Sequence, residues 1–232
     1  MRYFSSPLRT YLLNSVRIPR YSYNSSSSAL TFQPMSTSIY ASVISTIHEG
    51  FSVACLSLPP SIQGRMSIAR NEKCKLFERI YNGSEKVPDL ALDIKNDMGV
   101  SEVKFVAEVG FSETYGELVQ DAKLWLEGNK TVSLVMLVKL EEDPCHRCPI
   151  RNLTESEFAE LEFPHMKEIR YQPFTVSGPY GQVVYKGFEW VAKISGFFEF
   201  WALDPVTRLA SRIMTRMVSN PLRNVSYLSL PM

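Results

Sequence analysis

A chain of 232 residues, 45% apolar and 21% charged, has an ordinary globular composition and room for one sizeable core. Its net charge of +1 points to no partner. No apolar run approaches the roughly 18 residues of a membrane-spanning helix, and four cysteines are too few to staple a chain this long.

The charge is unevenly placed. Arg2, Arg9, Arg17 and Arg20 are the only charged residues before Glu49, so the remainder of the chain carries −3 against the +1 of the whole. This opening stretch is serine-rich and ends in the run Ser25 to Ser28. Arginine with serine and no acid is the composition of an organellar transit peptide. Residues 1–35 are therefore set apart as a disordered leader, with a mitochondrial address as one reading and a nuclear or cytoplasmic location as the other.

From Ser38, Ile39, Val43, Ile44 and Ile47 predict a short helix, and Phe51, Val53 and Cys55 then alternate as a strand. Ser61 is placed to cap a longer helix with Ile62, Met66, Ala69, Leu76, Phe77 and Ile80 on one face, closed by Asn82-Gly83. Two strands follow near 87–95 and 102–111. In the first, Leu90, Leu92 and Ile94 oppose Asp89, Ala91 and Asp93. In the second, Phe105, Ala107 and Val109 oppose Val106, Glu108 and Gly110. Thr114 and Glu117 form a capping box for a helix over 114–127, with Leu118, Ala122, Trp125 and Leu126 as its buried stripe and Gly128 closing it. Val132 to Leu140 is apolar enough for a strand covered on both faces. Residues 141–182 are charged and proline-punctuated, an insertion over the core. Val183 to Val191 and Ile194 to Leu203 read as strands. Asp204-Pro205 then opens a last helix carrying Val206, Leu209, Ala210, Ile213, Met214 and Met217.

Asp89 and Glu108 stand inside apolar runs, where a carboxylate is costly unless it is paired or binds a metal. Pro88-Asp89, followed by Glu108-Val109-Gly110, a helix and an apolar strand, resembles the PD-(D/E)XK nuclease superfamily and within it the Uma2-type branch. The resemblance covers about a quarter of the chain. It implies an α/β fold of the restriction-endonuclease type, a mixed sheet flanked by helices with a C-terminal extension. The domain would span 36–232, with a core of about 59–140, the insertion 141–182, and C-terminal strands and a helix over 183–220. It also implies Mg²⁺ held by Asp89, Glu108 and the backbone carbonyl of Val109, and hydrolysis of nucleic-acid phosphodiesters.

Two departures stand out. The lysine of the motif is Gly110, so Lys123 on the following helix is the substitute, with Gln120 one turn away. The predicted helix ending at Gly83 also leaves no room for the strand that usually precedes the "PD" element. Ser112 and Glu113 lie where they would reach a metal-bound water. The structural alternatives are a strand-entry role for Asp89, an ion pair from Glu108 to Lys104 or Arg70, and an i,i+4 pair of Lys123 with Glu127.

Cys145-His146-Arg147-Cys148 has the spacing of half a zinc knuckle. With His165 as its one plausible distant partner it falls short of the four ligands that a structural site needs, and it reads as a surface loop with two thiols. Arg208, Arg212 and Arg216 fall at i, i+4, i+8 on the predicted last helix and would form a phosphate-tracking row. Two functions are thus in view. One is a Mg²⁺-dependent nuclease. The other is an inactive protein of the same fold that binds nucleic acid or protein, and fold alone does not choose between them.

Overall fold

The computed structural model describes residues 20–33, 38–69, 72–145, 147–163, 175–177, 181–213 and 217–219. A β-hairpin, β1 (Arg20–Asn24) and β2 (Ala29–Gln33), comes first. Helix α1 (Ser38–Leu56) and the single turn α2 (Pro60–Gln63) lead to β3 (Met66–Ala69). After an irregular stretch come β4 (Leu90–Lys95), β5 (Ser101–Gly110), α3 (Tyr115–Gly128) and β6 (Leu134–Asp143). Helix α4 (Glu155–Glu160) and the small sheet β7 (Thr175–Val176), β8 (Val183–Tyr185) and β9 (Phe188–Val191) fill the region beyond. The chain then returns through β10 (Lys193–Leu203), β11 (Ala210–Arg212) and β12 (Met217–Ser219).

The main sheet runs β11-β10-β6-β5-β4-β3, with β12 beside β11 on the outer edge of β10. Strands β5 and β6 are parallel and the other pairs antiparallel. The parallel pair needs a crossover, and α3 supplies it. The result is a mixed sheet with helices on both faces, the α/β class expected from the sequence.

Alternation along β5 assigns its residues to the two faces. Val106 faces α3, where it packs with Leu118, Ala122, Trp125, Val135 and Leu137, all buried. Phe105 and Ala107 face the other way, with Leu90 and Leu92, against Ile47, Phe51 and Cys55 of α1. Val109, Val138 and Leu140 continue that second face beneath Ile39, Val43 and Ile44. Each fully buried Leu or Val contributes about 1.5–3 kcal/mol relative to exposure. The predicted capping box is present: Thr114 Oγ1 accepts from the Glu117 amide, and Glu117 Oε2 accepts from the Thr114 amide at 2.7 Å.

Four predicted elements differ. Phe51 to Cys55 continue α1, because Ile47, Phe51 and Cys55 recur every four residues on the sheet-facing side while Val53 is 62% exposed. Over Ile39–Leu56 the mean hydropathy is 1.3, so this helix, against the expectation that no stretch approaches that length, is long and apolar enough to cross a membrane by length and composition alone. The helix predicted from Ser61 to Ile80 shrinks to α2. Leu76 and Ile80 are exposed, and Met66 to Ala69 pair with β4 instead. This puts β3 ahead of Asp89 and removes the topological objection. Val183 to Val191 is broken into β8 and β9 by Lys186 and Gly187, both at positive φ, the pair of values that a tight hairpin turn requires.

The last predicted helix is absent as well. Asp204 accepts from the amides of Val206 and Thr207, closing a turn, and β11 follows. Val206, Leu209 and Ile213 are exposed, so these residues bury no stripe that would hold a helix. Finally, residues 20–33 form the β1–β2 hairpin inside the stretch assigned to the leader, whereas residues 1–19 lie outside the described residues.

Candidate active site

Leu90 pairs with Ala107, which sets Asp89, just before β4, beside Glu108 within β5. Both are buried, at 4% and 2% exposure. Asp89 Oδ2 accepts the amide of Val109 at 2.8 Å, and Oδ1 accepts the hydroxyl of Tyr40 from α1. Glu108 Oε1 accepts the indole N–H of Trp125 at 2.6 Å.

The cation of the site is Lys86, three residues before Asp89. It is 2% exposed, with Nζ 2.7 Å from Asp121 Oδ2 on α3 and 3.8 Å from Glu108 Oε1. Its backbone is fixed by two hydrogen bonds with Cys74. Burial works against its charge, yet Asp121 and Glu108 outweigh that penalty and hold its pKa above the ordinary lysine range. Burial acts most strongly on Glu108, and the nearby Asp89 and Asp121 carboxylates add to it, so its pKa rises well above the usual value despite Lys86. Glu113 is pushed up to about 7, first by burial and then by Asp121. Buried acids that raise one another's proton affinity beside one lysine are a combination more typical of reactive sites than of structural cores.

A cavity of about 200 Å³ reaches Lys86, Glu113 and Asp121, while Asp89 and Glu108 lie behind them and are not among its lining residues. Lys86, Glu113, Glu117, Gln120 and Asp121 line one side, and β1 and β2 close the other.

The sequence-predicted residues fare differently. Asp89 and Glu108 come together, and Val109 meets Asp89 through its amide. Gln120 lines the cavity; Lys123, half-buried on the same helix, is not among the lining residues. Glu108 has Lys86 beside it, Lys104 pairs instead with Glu102 at 2.7 Å, and Arg70 lies outside the described residues. Glu127 is engaged by Tyr81 and by the Ala210 amide.

Gly110 explains why the motif lysine is missing. A Cβ there would stand 2.7 Å from Cδ1 of Leu118, a core residue with no exposure, so position 110 points into packed side chains. The arginine row does not form. Arg208 sits in the turn before β11, Arg212 pairs with buried Glu199 at 3.4 Å, and Arg216 lies outside the described residues. Cys145 and Cys148 are exposed and unlinked, while His146 and His165 fall outside the described residues.

Sequence reasoning misses Lys86 because lysine is among the residue types least often buried, and here it directly precedes a turn-like Val-Pro. The available signal is the excess of acids in apolar runs, which demands a cation.

Among the described residues no three His, Cys, Asp or Glu side chains form a ready cluster for a metal ion. The resemblance asks for only two, Asp89 and Glu108, with Mg²⁺ keeping several waters. Each carboxylate offers about four lone-pair sites, and Asp89 uses some of them on Val109 and Tyr40. Hard oxygen donors in negative excess suit that ion. No family model, curated protein or solved structure matches the chain.

Proposed function

We propose that this protein is a metal-dependent phosphodiester hydrolase of the PD-(D/E)XK type, in which Lys86 takes over the part of the missing motif lysine. The supporting observation is the convergence of buried Asp89, Glu108 and Lys86 at the end of β4 and β5. Asp89 and Glu108 are the residues that would hold Mg²⁺, which when bound polarises the phosphate and acidifies water. Lys86 presents a permanent positive charge to the phosphoryl oxygens as negative charge builds on them. Glu113, lining the same cavity with a pKa of about 7, takes the proton of the attacking water. The water oxygen bonds to phosphorus, the bond to the departing oxygen breaks, and that oxygen leaves protonated from solvent. Gln120 orients the substrate at the cavity mouth.

The test is incubation of the purified protein with single- and double-stranded DNA and RNA in Mg²⁺ or Mn²⁺. Cleavage is expected, with Asp89→Asn and Glu108→Gln abolishing it while the fold persists, and Lys86→Gln lowering turnover more than Lys123→Ala.

A second reading, an inactive nuclease-fold module that binds nucleic acid or protein, has its own support. Both Asp89 oxygens and the Lys86 ammonium are already engaged within the chain. A wild type that cuts no substrate and melts no higher with Mg²⁺ leaves only that module.

A further inference from the structure

The hairpin that roofs the cavity is attached in an unusual way. Neither β1 nor β2 joins the main sheet, and none of its residues with described burial is buried. Its attachment concentrates on the segment just before Lys86. The Tyr23 amide donates to the Glu85 carbonyl at 2.7 Å, and the Glu85 amide donates back at 2.9 Å. The Ser25 amide donates to Ser84 Oγ at 2.9 Å. Tyr21 gives its hydroxyl to Glu85 Oε2, and Lys73 bonds both that hydroxyl and that carboxylate, at 2.6 and 3.0 Å. Lys75 takes the other Glu85 oxygen at 2.7 Å.

A two-stranded hairpin is marginal by itself, and an element with little buried apolar surface opens at low cost while the core stays folded. The latch is polar, and its Lys73 and Lys75 ends are exposed, so its ionic part is weak and salt-sensitive. Behind it lies a charged cavity too small for a nucleic-acid strand to enter while the roof is on. At the tip of the hairpin, Ser27 faces a cavity whose other wall carries Glu113, Glu117 and Asp121.

We propose that the β1–β2 hairpin is an autoinhibitory strap, latched at Glu85, that opens as a unit to expose the Lys86, Glu113 and Asp121 cavity to solvent and ligand. Its opening is a property of the fold and does not depend on whether the cavity hydrolyses phosphodiesters.

Hydrogen exchange on the full-length protein tests the strap directly, because neighbouring amides belong to different partners. The Glu85 amide is held by the hairpin, whereas the Lys86 amide is held by Cys74 at 3.0 Å. In the wild type, Tyr23 and Glu85 are expected to exchange faster than Lys86, Val106 and Leu137. Ser27→Asp, which sets a like charge against the acidic wall, should speed Tyr23 and Glu85 about tenfold, the scale of one partly screened charge contact. Ser27→Lys should slow the same two amides, and neither substitution should change Val106 or Leu137. Under the nuclease reading, Ser27→Asp also raises cleavage; exchange without cleavage would sink that reading and keep the strap. Tyr23 and Glu85 exchanging only with the core, or both substitutions moving them alike or not at all, would overturn the strap. The wild-type comparison decides alone if a variant fails to fold.

Discussion

Glu85 and Lys86 are adjacent in sequence and belong to two lysine–carboxylate clusters that share their chemistry and differ in surroundings. Outside, Glu85 binds Lys73, Lys75 and Tyr21 in solvent. Inside, Lys86 binds Asp121 and sits beside Glu108 with almost no exposure. The outer set gains little, because water screens it and long side chains lose entropy to hold one geometry. The inner set is strongly interdependent, since removing one charge strands the other away from water. The outer carboxylate is drawn down to about 2 by its lysines. Glu108 and its neighbour Glu113 rise despite Lys86, with burial the largest cause and nearby carboxylates adding to it.

The contrast is broken most forcefully by Lys86→Ala. It leaves Glu108 and Asp121 without their cation and should destabilise the fold by about 3–5 kcal/mol, read as a lowered denaturant midpoint. Lys73→Ala on the outer cluster should barely move that midpoint.

Gly110→Ala probes the packing behind the inner cluster. A Cβ 2.7 Å from a buried leucine methyl should cost about 1–3 kcal/mol by overpacking, and Gly110→Lys should cost more. A neutral Gly110→Lys would show that position 110 can hold a lysine after all.

The smallest effect is the sharpest in sign. Glu113 has a folded pKa of about 7 against 4.5, so between these values the native state holds the extra proton. Stability should therefore fall as pH rises through that window, by about 1–2 kcal/mol after discounting for partial exposure. Glu108 pulls the same way. Glu85, depressed to about 2 from 4.5, contributes stability above the ordinary value that is lost as pH falls toward 2. Melting temperatures across pH should peak at about pH 4.5, where the two windows meet. Glu113→Gln should flatten the alkaline limb, and Glu85→Gln should weaken the acid one.

How much of this is legible depends on whether a pattern has one physical meaning. Thr114 and Glu117 do, because only a helix start brings that hydroxyl and that carboxylate onto each other's amides. So does the alternation of Phe105 to Gly110, which sorts onto two cores as predicted. The spacing of Phe51, Val53 and Cys55 does not. Residues four apart share a face in a helix and also in a strand, and only the exposure of Val53 separates the two. Gly128, expected to close α3 from outside, is instead the last helical residue, where a Cβ would stand 3.0 Å from the ring of Tyr81. Of the site, the two acids announce themselves by being out of place among apolar neighbours. Lys86 does not, because nothing local tells a lysine that it will be enclosed by a helix more than about thirty residues away, and lysine is ordinarily a surface residue.

The alternation at Ser84, Glu85 and Lys86 also governs which length changes this protein can survive. The chain is pinned there on two sides, to Tyr23 through Glu85 and to Cys74 through Lys86. Inserting or deleting one residue between Gly83 and Pro88 would reverse which side chains point inward. A carboxylate would then be driven into a cluster already rich in them, and the lysine would be turned out to solvent. The stretch from Arg147 to Leu153 is different, because its backbone hydrogen bonds stay local, from Arg151 to Cys148 and from Leu153 to Ile150. Related chains should therefore vary in length there and keep their count constant from 83 to 88.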